Sequence, residues 1–168
     1  MERDTDLIIL AGDIFTGTRG VTWAQQTFPD KPVLYVLGNH EFYGHKFPRM
    51  YDKLKDKAAG TNVHVLENDV FEWGDWVVLG CTLWTDFRLA GIEEKTGLWC
   101  AKYHMNDYRR IRDSNRNYCK LHPATICDYH KQSLAWLKSN LDTYRDRKTL
   151  VMTHHAPSSK LTTSKLFY

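Results

Sequence analysis

Polar residues of the kind that bind metal ions or phosphates follow three short apolar runs in this 168-residue sequence. Asp13 closes the run DLIILAGD, Gly-Asn-His-Glu at 38–41 closes PVLYVLGNHE, and His-His at 154–155 closes KTLVMTHH. Asn, His and Glu are costly to bury without partners, so a turn, a metal ion or a phosphate is expected to engage them. Carboxylate and amide oxygens combined with imidazole nitrogen form a donor set that Mn²⁺, Fe²⁺ and Zn²⁺ accept.

The elements that must position these residues follow from the apolar pattern. The first two runs read as buried strands, and VTWAQQTF between them predicts a short helix that ends before Pro29. Strand, helix and strand in this order predict a parallel crossover, with both polar clusters at the carboxyl ends of their strands. Ligands of open α/β sheets bind beyond those ends. The run KTLVMTHH predicts a third strand of the same form.

The rest of the chain predicts helices and a second sheet. HKFPRMYDKLKDKAAG places Phe47, Met50, Tyr51, Leu54 and Ala58 on one face of a surface helix. The stretch from Asn62 to Trp84 reads as short strands with a hairpin turn at Gly74-Asp75, which predicts an antiparallel or mixed sheet.

Residues 86–125 have weak periodicity and predict an irregular insertion with possible short helices. The run YHKQSLAWLKSNLDTY then predicts a helix with an apolar stripe. Its members are Leu134, Leu137, Leu141 and Tyr144. The whole chain, 1–168, is expected to form one domain of the α/β class.

Composition excludes several classes of protein. Hydrophobic residues make up 42% and charged residues 26%, and no apolar run reaches the roughly 20 residues that span a membrane. The N-terminus does not read as a signal peptide, so a cytoplasmic location is expected. The four cysteines have no C-x-x-C spacing, which favours reduced thiols. A net charge of +3 is too small to identify a polyanionic partner.

One basic segment qualifies that last point. Between Ala101 and His122, six Lys and Arg residues stand against Asp107 and Asp113, and three tyrosines are interleaved. The preferred interpretation is a solvated insertion whose tyrosines pack on the domain. The alternative is a rim that attracts phosphates or nucleic acid.

The ordered set GD, GNHE and THHAP, each after an apolar strand, resembles the calcineurin-like metallophosphoesterase family. The resemblance covers about 6–159 and implies a β-sandwich of mixed sheets flanked by helices. It implies two divalent metal ions, with Mn, Fe or Zn as candidates, and hydrolysis of a phosphate mono- or diester by metal-bound hydroxide. Two ions can activate a shared water and clamp the phosphate oxygens.

Carried over residue by residue, the resemblance makes Asp13 the carboxylate that bridges two metal ions, and makes Asn39 and His154 further ligands. His40 takes the place of the catalytic histidine that stabilises or protonates the leaving oxygen. Glu41 either orients a neighbouring ligand or is a helix-start carboxylate near the helix dipole. His155 either reaches substrate or hydrogen-bonds the loop ahead of Pro157.

The sequence also departs from the family pattern. It has neither the D-x-H motif before Asp13 nor the G-H-x-H motif after His155, and Thr16 stands where many relatives place an aspartate that pairs with the catalytic histidine. Truncation at both termini is the preferred explanation, over loss of metal binding. An uncovered strand edge and the final Leu-Phe-Tyr then predict self-association.

Two functions therefore follow from the sequence. The first is a metal-dependent phosphoesterase, which is expected to be incomplete as it stands here. The second is a non-catalytic module that uses the phosphoesterase scaffold, including the basic segment, to bind another protein. A nucleotide-binding domain is disfavoured because no G-x-G-x-x-G or G-x-x-x-x-G-K-[ST] motif follows the first strand.

Overall fold

The computed structural model describes residues 6–88, 91–158 and 160. Within these residues the chain forms strands, α-helices and one short 3-10 helix at His40–Phe42. The strands are β1 (Ile8–Leu10), β2 (Val33–Tyr35), β3 (Lys46–Phe47), β4 (Val63–Val65), β5 (Asp69–Trp73), β6 (Trp76–Cys81), β7 (Arg112–Asp113) and β8 (Lys148–Thr153). The α-helices are α1 (Arg19–Thr27), α2 (Met50–Ala58), α3 (Glu94–His104), α4 (Asp107–Arg110) and α5 (Pro123–Thr143).

Two three-stranded sheets form the centre of the fold. The first has the order β1-β2-β4 and is entirely parallel, with Leu34 paired to Ile9 and His64. The second has the order β5-β6-β8, in which β5 and β6 form an antiparallel hairpin and β8 runs parallel to β6. The predicted hairpin turn at 74–75 is confirmed, and the second sheet is mixed. Strands β3 and β7 form a separate parallel pair.

Alternating side chains arrange these sheets in layers. Val33 of β2 packs in the cluster that includes α1 and α2, whereas Leu34 packs on Val78 of the second sheet. Val77, on the opposite face of β6, packs with Leu137 of α5. Both sheets are therefore covered on both faces, which explains the near-continuous apolar runs of their central strands. The order helix, sheet, sheet, helix confirms the predicted α/β fold class.

The first helical predictions are confirmed with shifted boundaries. Helix α1 ends at Thr27, just before the Phe28-Pro29 pair, as the proline rule requires. Helix α2 begins only at Met50 and buries the apolar face predicted for it. Phe47, which was predicted to lie on that face, belongs to β3 instead.

The segment 86–125 contains more regular structure than its weak periodicity indicated. It holds α3, α4, β7 and the first residues of α5. Tyr108, Ile111 and Leu121 are buried in the main core, while Tyr103 and Tyr118 are exposed. The predicted packing of the three tyrosines on the domain is therefore confirmed for Tyr108 alone. The buried residues of this segment stand singly among basic residues, so the sequence shows no apolar run there.

Helix α5 begins earlier than predicted and buries a different face. The ring of His122 accepts a hydrogen bond from the N–H of Ala124 (3.2 Å) and so caps the helix start at Pro123. The predicted stripe is wrong at Leu134 and Leu141, which are exposed. Leu137 is buried as predicted, and Ile126, Cys127 and Ser133 are buried with it. Ser133 interrupts the apolar pattern on this inward face.

Three general expectations concern the surface of the protein. None of the described helices combines the length and the apolar character that a membrane span needs. The four cysteines are free thiols. Strands β1 and β8 lie at edges of their sheets within the described part of the chain. The final Leu-Phe-Tyr, at 166–168, lies outside the described residues.

Candidate metal centre

The carboxyl ends of β1, β2 and β8 bring Asp13, Asn39 and His154 together. Nε2 of His154 lies 3.2 Å from Oδ1 of Asn39 and 3.6 Å from Oδ1 of Asp13. Residues from three separate strands thus meet at one point, as expected for parallel strands that end at a common edge. Their role as metal ligands stays a prediction.

Glycines allow the loops after β1 and β2 to approach this closely. Gly12 has a φ of +87°, which side-chain-bearing residues rarely adopt, and a Cβ there would lie 2.5 Å from Nδ1 of His154. A Cβ at Gly38 would overlap Oδ1 of Asp13. Asp13 itself has a φ of +58°, so the loop is held in an uncommon backbone conformation where its carboxylate enters the site.

Hydrogen bonding fixes which atom of His154 faces the centre. Its Nδ1 lies 2.8 Å from the carbonyl oxygen of Ala11, which only accepts hydrogen bonds, so Nδ1 carries a proton. In the neutral ring Nε2 then presents a lone pair toward the oxygens of Asn39 and Asp13. Three acceptor atoms facing one another repel unless a cation lies among them, either a metal ion or a proton on Nε2.

The donor set fits one divalent ion. Ligand bonds of roughly 2.0–2.2 Å place neighbouring donor atoms about 3.0–3.5 Å apart, close to the distances from His154 to its two oxygen neighbours. Among the described residues, no three His, Cys, Asp or Glu side chains form a group that could hold a metal ion. The amide oxygen of Asn39 is therefore needed as the third donor.

His40 lies beside Asp13 with its ring partly in solvent. Nδ1 is 3.3 Å from Oδ2 of Asp13, and the backbone N–H donates to Oδ1 (2.9 Å). The ring is 51% exposed and packs on Tyr43 with centroids 4.5 Å apart. Thr16 accepts a hydrogen bond from Arg19 instead, so Asp13 supplies the carboxylate next to His40.

Glu41 is fully buried and receives four hydrogen bonds. Oε1 accepts from the N–H of Ile14 (2.8 Å) and the hydroxyl of Tyr35 (2.7 Å), while Oε2 accepts from the N–H groups of Asp13 (3.0 Å) and Gly38 (2.7 Å). One carboxylate thereby ties the loop after β1 to the loop after β2. Three of its four bonds come from these loops and the fourth from the hydroxyl of Tyr35 in β2.

His155 lies on the other side of His154. Its ring stacks on Trp84 (centroids 5.3 Å apart, planes at 27°), and Nδ1 lies 3.3 Å from the carbonyl oxygen of Thr82. Burial, together with the nearby His154, lowers the pKa of His155 to about 4, so its ring is neutral at neutral pH. The contact is with Thr82, after β6, and not with the loop ahead of Pro157.

Asp107 is a buried residue at the site to which sequence reasoning assigned no role. Its Oδ1 accepts from Nδ2 of Asn39 (2.8 Å) and from the hydroxyl of Tyr43 (2.6 Å). Burial and this carboxylate raise the pKa of Tyr43 above its ordinary range. The available signal was Tyr108 and Ile111, large apolar residues beside Asp107 in an otherwise charged stretch.

The basic segment also reaches the rim of the site. The guanidinium of Arg110 lies over the ring of Tyr43, 5.3 Å from its centroid, and Tyr43 in turn contacts His40. Arg110 is exposed, and its guanidinium and the half-exposed ring of His40 both contact the ring of Tyr43.

A comparison with known families agrees with this geometry. A family model described as calcineurin-like phosphoesterase matches residues 1–167 of the chain. No curated protein and no solved structure gives a significant match.

Proposed function

Because the chain belongs to the calcineurin-like phosphoesterase family, we propose that it hydrolyses phosphate mono- or diesters with the help of bound divalent metal ions. The observation that carries the proposal is the convergence of acceptor atoms from Asp13, Asn39 and His154. Family members generally bind two such ions, and this site offers three converging donor atoms that suit one of them.

We assign metal binding to the three converging residues. Oδ1 of Asp13 faces Nε2 of His154, so Asp13 would hold an ion together with Asn39 and His154. That Asp13 also bridges to a second ion is proposed from the family to which the chain belongs. When bound, divalent ions lower the pKa of a water molecule and neutralise charge on the phosphate oxygens. Mixed oxygen and nitrogen donors suit Mn²⁺, Fe²⁺ and Zn²⁺, and Mn²⁺ is the ion we propose to test first.

His40 is proposed to protonate the leaving oxygen. Asp13 lies beside Nδ1 and favours a proton on that nitrogen, which turns Nε2 outward as the atom that exchanges a proton with substrate. The half-exposed ring leaves room for an ester group. Tyr43 packs against the ring and limits its rotation.

The substrate is proposed to carry negative charge beyond the phosphate that is cleaved. Arg110 offers an exposed cation on the ring of Tyr43, which also contacts His40, and this cation would attract a second phosphate or a nucleic-acid backbone. Arg110→Ala should raise KM for a dinucleotide more than for a small chromogenic diester. Equal effects on both substrates would contradict this role.

Self-association is a separate proposal. Ile9 of the edge strand β1 is 45% exposed, and Val151 of β8 is 40% exposed. Apolar side chains on uncovered strand edges favour contacts between copies of a chain. Size-exclusion chromatography should show species larger than 19.7 kDa that increase with concentration. A single monomer peak over a wide concentration range would contradict the proposal.

Hydrolysis of a chromogenic phosphodiester with added Mn²⁺ tests the catalytic proposal. Asp13→Ala and His40→Ala should each lower kcat at least about 100-fold, as expected for loss of a metal ligand or of a general acid. His104→Ala is the control, because His104 is exposed on α3 and has no assigned role in the site. Equal rates in all four proteins would refute the assignment.

The alternative is a non-catalytic module on the same scaffold. Metal analysis after dialysis separates the two functions. A phosphoesterase should retain Mn, Fe or Zn in a stoichiometric amount, and Asp13→Ala should lose it. A scaffold that only binds another protein should retain none.

A further inference from the structure

The side chain of Asp107 lies in the site although its segment was expected to be a solvated insertion. Asp107 opens α4 and is only 3% exposed. Main-chain hydrogen bonds hold this segment next to the loop after β2, since the N–H of Gly44 donates to the carbonyl of Arg110 (3.1 Å) and the N–H of Arg112 donates to the carbonyl of His45 (3.1 Å). These two bonds hold the main chain that follows Asp107 against the loop after β2.

Asp107 joins Asn39 and Tyr43 in a closed set of hydrogen bonds. Nδ2 of Asn39 donates to Oδ1 of Asp107 (2.8 Å) and to Oη of Tyr43 (3.3 Å), and Tyr43 donates to the same carboxylate oxygen (2.6 Å). An ionised carboxylate only accepts hydrogen bonds, so the amide must turn its nitrogen toward Asp107. The carboxylate of Asp107 therefore determines the orientation of the Asn39 amide.

The consequence appears at the opposite end of the amide. With Nδ2 held by Asp107, Oδ1 of Asn39 faces Nε2 of His154 at 3.2 Å. If the amide flipped, its two N–H protons would point at the place where a cation would be bound, and Asn39 would offer no acceptor there. A free Asn samples both orientations, because its terminal torsion has two nearly equivalent wells.

We propose that Asp107 is a positioning residue that holds Asn39 in its metal-binding orientation. The inference rests on the proposed function, in which Asn39 is a ligand. Groups that orient metal ligands typically change metal affinity by about 10- to 100-fold when removed. Asp107 therefore makes the segment 86–125 part of the site without contacting a metal ion or substrate itself.

Co²⁺ binding tests this role without any measurement of activity. The metal-free protein is titrated with Co²⁺ while its visible absorption is recorded, and the affinity is measured by calorimetry. Asp107→Ala removes the acceptor and should weaken Co²⁺ binding about 10- to 100-fold and change the absorption spectrum. Asp107→Asn keeps a neutral acceptor and should restore most of the affinity, to within about fivefold of the wild type.

Asp113 offers a matched control from the same segment. It is a buried aspartate at 1% exposure, and its Oδ1 accepts from the N–H of Asn115 (2.9 Å), away from Asn39. Asp113→Ala should lose stability as Asp107→Ala does, yet bind Co²⁺ with wild-type affinity and spectrum. Thermal unfolding without metal shows whether the two variants are folded to the same degree.

The outcomes separate the inference from the function on which it rests. Wild-type Co²⁺ affinity and spectrum in Asp107→Ala would overturn the positioning role, and so would equal weakening in Asp113→Ala. If wild-type protein binds no Co²⁺, the proposed metal site itself fails. Where Asp107→Ala does not fold, the pair Asp107→Asn and Asp113→Asn decides. The first should bind about fivefold more weakly than the second, and equal affinities would overturn the role.

Discussion

Replacing Glu41 by glutamine should destabilise the protein by several kilocalories per mole although it changes a single atom. The carboxylate is fully buried and accepts hydrogen bonds from four donors, two at each oxygen. Glutamine has one oxygen and one NH₂ group, so one of the two positions must present N–H protons to donors. An acceptor pair that serves four donors cannot be reproduced by an amide.

The less costly orientation follows from the partners. If NH₂ replaces Oε2, it faces the N–H groups of Asp13 and Gly38, neither of which can accept. If it replaces Oε1, it faces the N–H of Ile14 and the hydroxyl of Tyr35, which can rotate to accept. In this second orientation the N–H of Ile14 stays unpaired, and the hydrogen bonds from Asp13 and Gly38 go to a neutral oxygen in place of a charged one. Together these losses cost about 3 kcal/mol.

Glu67→Gln is the matched control for this substitution. Oε2 of Glu67 accepts from both the N–H (2.9 Å) and the hydroxyl (2.7 Å) of Thr82, whereas Oε1 is buried with no hydrogen-bond partner in the described part of the chain. Glutamine can keep its oxygen at the Oε2 position and place NH₂ where no donor opposes it. Its effect on the free energy of unfolding should stay within about 1 kcal/mol.

Urea unfolding followed by circular dichroism, with a chelator present so that metal binding does not contribute, measures both variants. A loss of about 3 kcal/mol leaves the Glu41 variant folded if total stability lies in the usual range of roughly 5–15 kcal/mol. The reasoning is refuted if the two glutamine variants lose the same stability, because the number of donors at each carboxylate would then not decide the cost.

Further predictions concern pH, hydrogen-bond direction and close packing at the site. Burial raises the pKa of Glu67 above 4.5, so the folded state holds the proton of Glu67 more tightly than the unfolded state does. The free energy of unfolding therefore falls as pH rises from about 4.5 through the folded-state pKa. Urea midpoints measured across this pH range should show this contribution in the wild type and lack it in Glu67→Gln. Asn39→Asp places a carboxylate against Asp107 and should lower the free energy of unfolding by about 2 kcal/mol, measured by thermal unfolding without metal. The double variant Asn39→Asp with Asp107→Asn should recover most of this loss. If the stability losses of the two single variants simply add in the double variant, the pairing is contradicted. Gly38→Ala would overlap Asp13 and should cost about 1–3 kcal/mol and weaken Co²⁺ binding, whereas unchanged Co²⁺ affinity would show that the two loops need not approach closely.

The sequence predicts well the main strands and the convergence of the polar residues that follow them, for a physical reason. Buried parallel strands read as continuous apolar runs, and polar residues directly after them must lie at the carboxyl edge of the sheet. The polar clusters that contain Asp13, Asn39 and His154 are visible on these grounds, whereas the choice of Asn39 and His154 within their clusters comes from the family resemblance. Asp13 and Asn39 meet because β1 and β2 are parallel neighbours in one sheet. His154 follows β8 of the other sheet and joins them through its contacts with Ala11 and Asn39, which the sequence does not reveal.

The segment 86–125 could not be placed in the same way. Its buried residues are single apolar side chains, Tyr108, Ile111 and Leu121, separated by charged ones, so neither a helical nor a strand period appears. The burial of Asp107 could not be predicted, because its hydrogen-bond partners, Asn39 and Tyr43, lie more than 60 residues earlier in the chain. A long-range hydrogen bond leaves no local pattern in the sequence. The predicted stripe of α5 is wrong at Leu134 and Leu141, because the buried face includes Ser133, which an apolar pattern does not reveal.

Asn39 and His40 are held between two buried carboxylates that are not themselves predicted ligands. Glu41 takes backbone donors from the loops on either side of the site, and Asp107 takes the side-chain donor of Asn39. Neither forms an ion pair with Lys or Arg in the described part of the chain, so their negative charge is balanced by dipoles alone. Each lies one hydrogen bond behind a residue of the proposed centre, Glu41 behind Asp13 and Asp107 behind Asn39, and their negative charge favours a cation there. If the proposed centre binds a metal ion, the residues that orient the donors would set its affinity together with the donors themselves.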